Sequence, residues 1–198
     1  MGFRRRPPPR RCARGVPRGG RLPWRRLPEA APVVRVHAER PARRPVRPDR
    51  RRGRRTVVFH VGPEPSPLDS RWSEPRLLAD VARRYPDVRF LAAHCGNEAW
   101  RETLDAVRDL NNVSIDLSGW QVRFAQDAGR FYEDVSEVLD ALGAERVMWG
   151  TDPPYYRPLV PDSRWLAAFT EAPDGTFATE EVDMITGANA VSFFGLEP

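Results

Sequence analysis

Lysine is absent from all 198 residues, and the chain holds only two cysteines and three histidines. Cys12 and Cys95 lie in different segments with no pairing pattern, which excludes a disulfide scaffold and fits a reducing compartment. No stretch approaches the roughly 20 apolar residues of a membrane span. An apolar export region with a small-residue cleavage site is also missing. The expectation is a soluble, cytoplasmic protein with no membrane partner. Residues 1–55 lack Ser, Thr, Asn, Gln, Ile, Lys and Tyr, and their longest apolar run is Val33-Val34. Such a segment cannot bury enough apolar surface to offset its chain entropy, so it is expected to be disordered.

Charge divides the chain at the same place. Residues 1–55 carry 20 arginines against Glu29, Glu39 and Asp49, about +17, whereas residues 56–198 carry 12 arginines against 24 acids, about −12. Three readings fit the basic segment: a solvated arm, a nucleic-acid-binding arm, or out-of-frame translation of GC-rich DNA. Clustered arginine suits phosphate, but only Phe3 and Trp24 interleave aromatics, which disfavours nucleic acid. Arg, Pro, Ala and Gly all have GC-rich codons, and the out-of-frame reading is favoured.

From Thr56 the character changes. TVVFHVG (56–62) reads as a buried strand closed by glycine. A Pro-rich loop follows, and Ser73 is placed to cap a helix over 74–85. The pattern then predicts a strand over 88–94, a helix over 98–110, a strand over 112–119 and a helix over 132–142 stopped by Gly143. A strand over 146–154 ends in Pro-Pro, and two short helices over 179–185 and 188–194 close the chain. Strands alternating with helices in units of about 30 residues argue for a parallel sheet of right-handed βαβ units.

Period-two alternation assigns the faces. One face collects Val57, Phe59, Val61, Leu91, Ala93, Val113, Ile115, Leu117, Val147 and Trp149, and should pack under helices. The other collects Val58, His60, Phe90, Ala92, His94, Ser114, Asp116, Met148, Gly150 and Asp152. Its polar members cluster at the C-terminal strand ends, so His60, His94, Asp116 and Asp152 are expected on one rim, where a barrel does its chemistry. Each has an ordinary alternative, such as a satisfied structural histidine or an aspartate opening a turn. Cys95, next to His94 in a strand, would point away from it and reads as core packing. Trp100 and Trp120 suit either a pocket wall or helix packing, and Asn189 suits a cap or turn.

VVFHVG, LAAHCGN, NVSIDLSGW, RVMWGTDPP and ITGANAVSFFGL, in this order and spacing, resemble the C-terminal half of the amidohydrolase-related family. These are metal-dependent TIM-barrel hydrolases and decarboxylases, including aminocarboxymuconate-semialdehyde decarboxylase. The resemblance covers residues 56–196. It implies an α/β fold made of strands five to eight of a (β/α)8 barrel. It also implies that His60 and Asp152 are metal ligands and that His94 and Asp152 are catalytic; Asp116 carries no firm role in the family and is read as a supporting group. The cofactor implied is a divalent metal, by analogy Zn2+, which activates water against a small organic substrate or holds a carboxylate for decarboxylation.

The family's first strand carries His-x-His, and this chain has no such motif; residue 35, two before His37, is arginine. A catalytic zinc normally takes three protein ligands, so the site is expected to be incomplete and the chain a truncated form. An inactive fragment or binding module is the alternative. Half a barrel would leave two long apolar edge strands and favour self-association.

Overall fold

A computed structural model of the chain describes residues 34–35 and 55–196. Five parallel strands lie side by side in chain order: β1 (Val34–Arg35), β2 (Thr56–His60), β3 (Arg89–Ala93), β4 (Val113–Asp116) and β5 (Val147–Met148). Four strands were expected from Thr56 onward, and all four are present. The fifth, β1, pairs with Val57 and Val58 of β2 inside the segment expected to be disordered. The rest of that expectation, and Cys12 and His37, lie outside the described residues.

Among the described residues, helices α1 (Pro75–Arg84), α2 (Trp100–Val107) and α4 (Ala128–Leu142) follow the expected order. In α4, Phe131, Val135, Val138 and Leu142 recur at intervals of four, three and four and are all buried. That spacing makes one apolar stripe. Asp127 caps this helix by accepting from the Arg130 N–H at 3.0 Å, and Gly143, with φ 79°, ends it. Ser73 does not cap α1. Glu74 holds the cap position without a side-chain bond, while the Ser73 hydroxyl donates to the Gly62 carbonyl at 2.6 Å. Pro75 at the first helical position, preset in φ, starts the helix instead.

Two helices have no counterpart in the sequence reading: α3 (Gln121–Gln126) and α5 (Asp162–Thr170). The two short helices expected at the end, α6 (Thr179–Asp183) and α7 (Asn189–Phe194), are joined by a π-turn over Met184–Ala188. No described helix is long and apolar enough to cross a membrane.

Core packing separates the two sheet faces. Phe90, Ala92, Val113, Ile115 and Val147 lie under the helices with Trp120, Phe131, Trp165 and Phe169. Burying each such large side chain is worth roughly 1.5–3 kcal/mol. On the opposite face Leu91 and Met148 pack against Phe193 of α7. Among the described residues the outer strands β1 and β5 are two residues each. Beyond β5 the Trp149 backbone N–H donates to Ile185 O at 2.8 Å, which ties the end of the strand to the π-turn.

Candidate active site

Register fixes which side chains share a face. His60 pairs with Ala93, Leu91 with Ser114, and Asp116 with Met148, whereas Phe90 pairs with Val57 and Val113. His60 and Asp116 therefore share the face away from the helices, as expected. In β3 the expected parity is off by one: Leu91 and Ala93 lie on the site face, Phe90 and Ala92 under the helices. The sequence RFLAA is apolar on both faces, so alternation could not reveal its phase.

Strand parity would send His94 to the wrong side. The chain leaves β3 at Ala93, and His94, Cys95, Gly96 and Asn97 all take positive φ (65°, 47°, 84° and 49°). This left-handed turn, costly for non-glycine residues, swings His94 back over the site. Its backbone N–H donates to Asp116 Oδ1 at 3.0 Å, and its ring centroid lies 5.0 Å from that of His60. Cys95 belongs to the turn rather than to a strand. It is buried in the core as expected, and burial above all, then the Asp116 charge, pushes its thiol up.

Hydrogen-bond chemistry assigns the His94 tautomer. Nδ1 lies 2.8 Å from Ser118 Oγ and 3.1 Å from Ser118 O. The Ser118 hydroxyl donates to Asp116 Oδ1, and the same oxygen accepts from the Ser118 N–H at 3.0 Å. The hydroxyl proton is thus committed to the carboxylate, and a carbonyl only accepts. Nδ1 must then carry the hydrogen, which leaves the lone pair on Nε2. Asp116 supports His94 through its backbone and through Ser118.

His60 Nε2 lies 3.3 Å from Glu64 Oε1. Glu64, in the Pro-rich loop, is positioned by its own N–H donating to Ser70 Oγ at 2.9 Å. Asp152, φ 45°, follows β5 and faces a different group. Burial first, then the charges of Asp152 and Glu98, raise the Tyr156 hydroxyl, so this phenol stays protonated. Tyr156 is also close to Gly119, where an added Cβ would come within 3.4 Å of its hydroxyl.

Among the described residues no group of three or more His, Cys, Asp or Glu side chains could hold a metal ion. His60 and Asp152 alone fall short of the three protein ligands a catalytic zinc takes. Trp100 and Trp120 are packing residues: they meet edge-on at 5.6 Å, and Trp120 Nε1 donates to His94 O at 2.9 Å. Asn189 is a structural group, donating to Ala144 O and Val147 O at 2.7 and 2.8 Å.

Glu64, Ser118 and Tyr156 were not singled out by sequence. Only Ser118 left a trace, two residues beyond Asp116 in DLSG, a spacing that lets the aspartate bond both its N–H and hydroxyl. Glu64 and Tyr156 sit in Pro-rich loops without periodicity.

Comparison with known proteins agrees with this architecture. A family model described as Amidohydrolase matches residues 51–196. L-fucono-1,5-lactonase of Burkholderia ambifaria is 29% identical over 136 residues, covering 62% of this chain and 47% of that protein. Two solved structures share the fold. One is an uncharacterised TIM-barrel protein from Bordetella bronchiseptica (TM-score 0.55, 17% identity, 71% of this chain and 46% of that one). The other is an amidohydrolase from Burkholderia multivorans with bound zinc (TM-score 0.57, 19% identity, 71% and 53%). The chain spans about half the length of the relatives it matches. Its parallel sheet is the C-terminal half of a TIM barrel.

Proposed function

The chain belongs to the amidohydrolase family, and from that membership we propose that its described residues carry the acid–base part of a hydrolase site for a small, uncharged carbonyl substrate, a lactone being the favoured class. The observation that carries this reading is the Asp116–Ser118–His94 chain, which commits Nδ1 as donor and leaves Nε2 as the proton acceptor.

His94 Nε2 takes a proton from water as the water oxygen bonds to the carbonyl carbon. It returns that proton to the ring oxygen as the carbon–oxygen ester bond breaks. Tyr156, kept protonated beside Asp152 and Glu98, supplies a hydrogen bond to oxygen as negative charge develops. Asp152 acts through this phenol. The described residues do not by themselves build a divalent-ion site; His60 and Asp152 would contribute to one, and a bound ion would supply polarisation of the substrate oxygen. The lactone follows from the Burkholderia ambifaria relative and from charge. Glu64, Glu98 and Asp152 follow the ends of β2, β3 and β5, and Asp116 is the last residue of β4; such a rim repels the carboxylate substrate that decarboxylation requires.

The test is hydrolysis of a panel of sugar and aliphatic lactones followed by pH-stat. Ser118→Ala should lower kcat by about 10–100-fold, the usual range for removing an orienting partner, with KM nearly unchanged. His94→Ala should leave only background. Hydrolysis by Ser118→Ala at the wild-type kcat would refute the reading.

A further inference from the structure

Arg123 and Asp134 lie outside the acid–base set, yet they brace the turn on which His94 rides. Asp134, on α4, is 3% exposed, and a buried carboxylate needs compensating charge. Arg123 Nη1 reaches its Oδ2 at 3.2 Å. Arg130 Nε and Arg101 Nη2 reach its Oδ1 at 3.2 and 3.5 Å. Of these three cations, Arg123 bonds the left-handed turn as well. Its Nη2 donates to Asn97 O at 3.2 Å, and its guanidinium lies 5.1 Å from the Trp120 ring centre. Trp120 in turn donates to His94 O.

The turn is thus held from three sides: by Asp116 at the His94 N–H, by Trp120 at the His94 carbonyl, and by Arg123 at the Asn97 carbonyl. Asn97 has φ 49° and ψ −115°, a conformation that persists only where the surroundings over-determine it. The planar fork of arginine meets Asn97 and Asp134 at once, and an ammonium cannot reproduce that geometry.

We propose that Arg123, locked by buried Asp134, is a positioning residue that holds the His94–Asn97 turn and thereby the Nδ1–H tautomer of His94. The proposal rests on the acid–base reading for its consequence in catalysis, but two of its readouts need no substrate. Cys95, inside the same turn, is fully buried and reports the turn's opening.

The experiment compares Arg123→Gln, Arg123→Lys and Arg130→Gln in full-length protein carrying Cys12→Ser. Arg130→Gln removes an ion pair to Asp134 without touching the turn. The rate at which a thiol-reactive disulfide reagent modifies Cys95 should rise at least tenfold in Arg123→Gln and stay within about twofold of the parent in Arg130→Gln. Arg123→Lys should fall between. In 15N NMR spectra the His94 ring should show one Nδ1–H tautomer in the parent and Arg130→Gln, and a tautomer mixture in Arg123→Gln. Lactone turnover should then fall in kcat rather than KM. Equal labelling of Arg123→Gln and Arg130→Gln, or an unchanged tautomer, overturns the proposal even if lactones are hydrolysed. If no lactone is hydrolysed but labelling and tautomer respond as stated, the positioning role stands and the substrate reading falls. Should Arg123→Gln not fold, Arg123→Lys against Arg130→Gln decides by the same two readouts.

Discussion

Cys95 shows how a residue can be chemically quiet and still report on the fold. Its thiol is held above the ordinary value of 9.0, by burial first and the Asp116 charge second. The folded state therefore keeps a proton that the unfolded chain releases above pH 9. Below the unfolded pKa the full contribution is present, and it is lost as pH rises from there. The slope from this group alone is about 0.7 kcal/mol per pH unit at pH 9 and approaches about 1.4 only well above it, so the loss between pH 8 and 10 is about 1.4 kcal/mol in all. Urea denaturation between pH 8 and 10 should show that loss in the parent and not in Cys95→Ala. Tyr132 and Tyr156, both raised from 10.0 mainly by burial, add a similar trend at higher pH. An identical slope in both proteins would contradict this account. At the same scale, His94 was legible as a polar tip on an apolar run. Its path to the site was not, because a left-handed turn of four residues has no period to read.

Two loops are joined by glycine contact at the scale of elements. Gly62, φ 109°, follows the strand that ends in His60, and a Cβ there would meet the Gly96 carbonyl at 2.3 Å. Gly96, φ 84°, lies in the His94 turn, and its added Cβ would meet Thr103 Oγ1 at 2.1 Å. The loop after β2 can approach the turn after β3 because Gly62 carries no side chain, and the turn can seat on Thr103 of α2 because Gly96 carries none. Gly62→Ala should cost about 2–4 kcal/mol, combining overpacking with backbone strain. It should also widen the His60–His94 spacing, and equilibrium unfolding with NMR contacts between the two rings measures both. A parent-like stability would mean that the loops part freely. Both glycines read from sequence as strand punctuation, which is correct but omits their contact across 34 residues of chain.

On the scale of the whole molecule, α7 closes the far end of the site face. Phe193 packs on Leu91 and Met148, and its carbonyl accepts from Thr56 Oγ1 at 3.4 Å, joining the C-terminal helix to the start of β2. Arg89, at the start of β3, donates to Ser192 O at 2.8 Å and stacks over the Phe193 ring at 5.4 Å. Phe193→Ala should destabilise by about 3 kcal/mol, at the low end for a buried phenylalanine because the cluster is small. Phe194→Ala, half-buried beside it, should cost less. Urea midpoints compare the two, and an equal or reversed order would show that α7 does not seal this face.

Strand identity, the parallel sheet, the family and the grouping of His60, His94 and Asp116 were all open to inspection in the sequence. The strands and the sheet rest on local hydrophobic period, the polar grouping on strand-end polarity, and the family on the resemblance of five short motifs in series; all are properties of neighbouring residues. Tertiary structure alone decided the phase of β3, the Ser118 link that orients His94, and the Glu64 partner of His60. These depend on register between strands and on left-handed turns, where residues far apart in the chain set each other's geometry through hydrogen bonds and excluded volume.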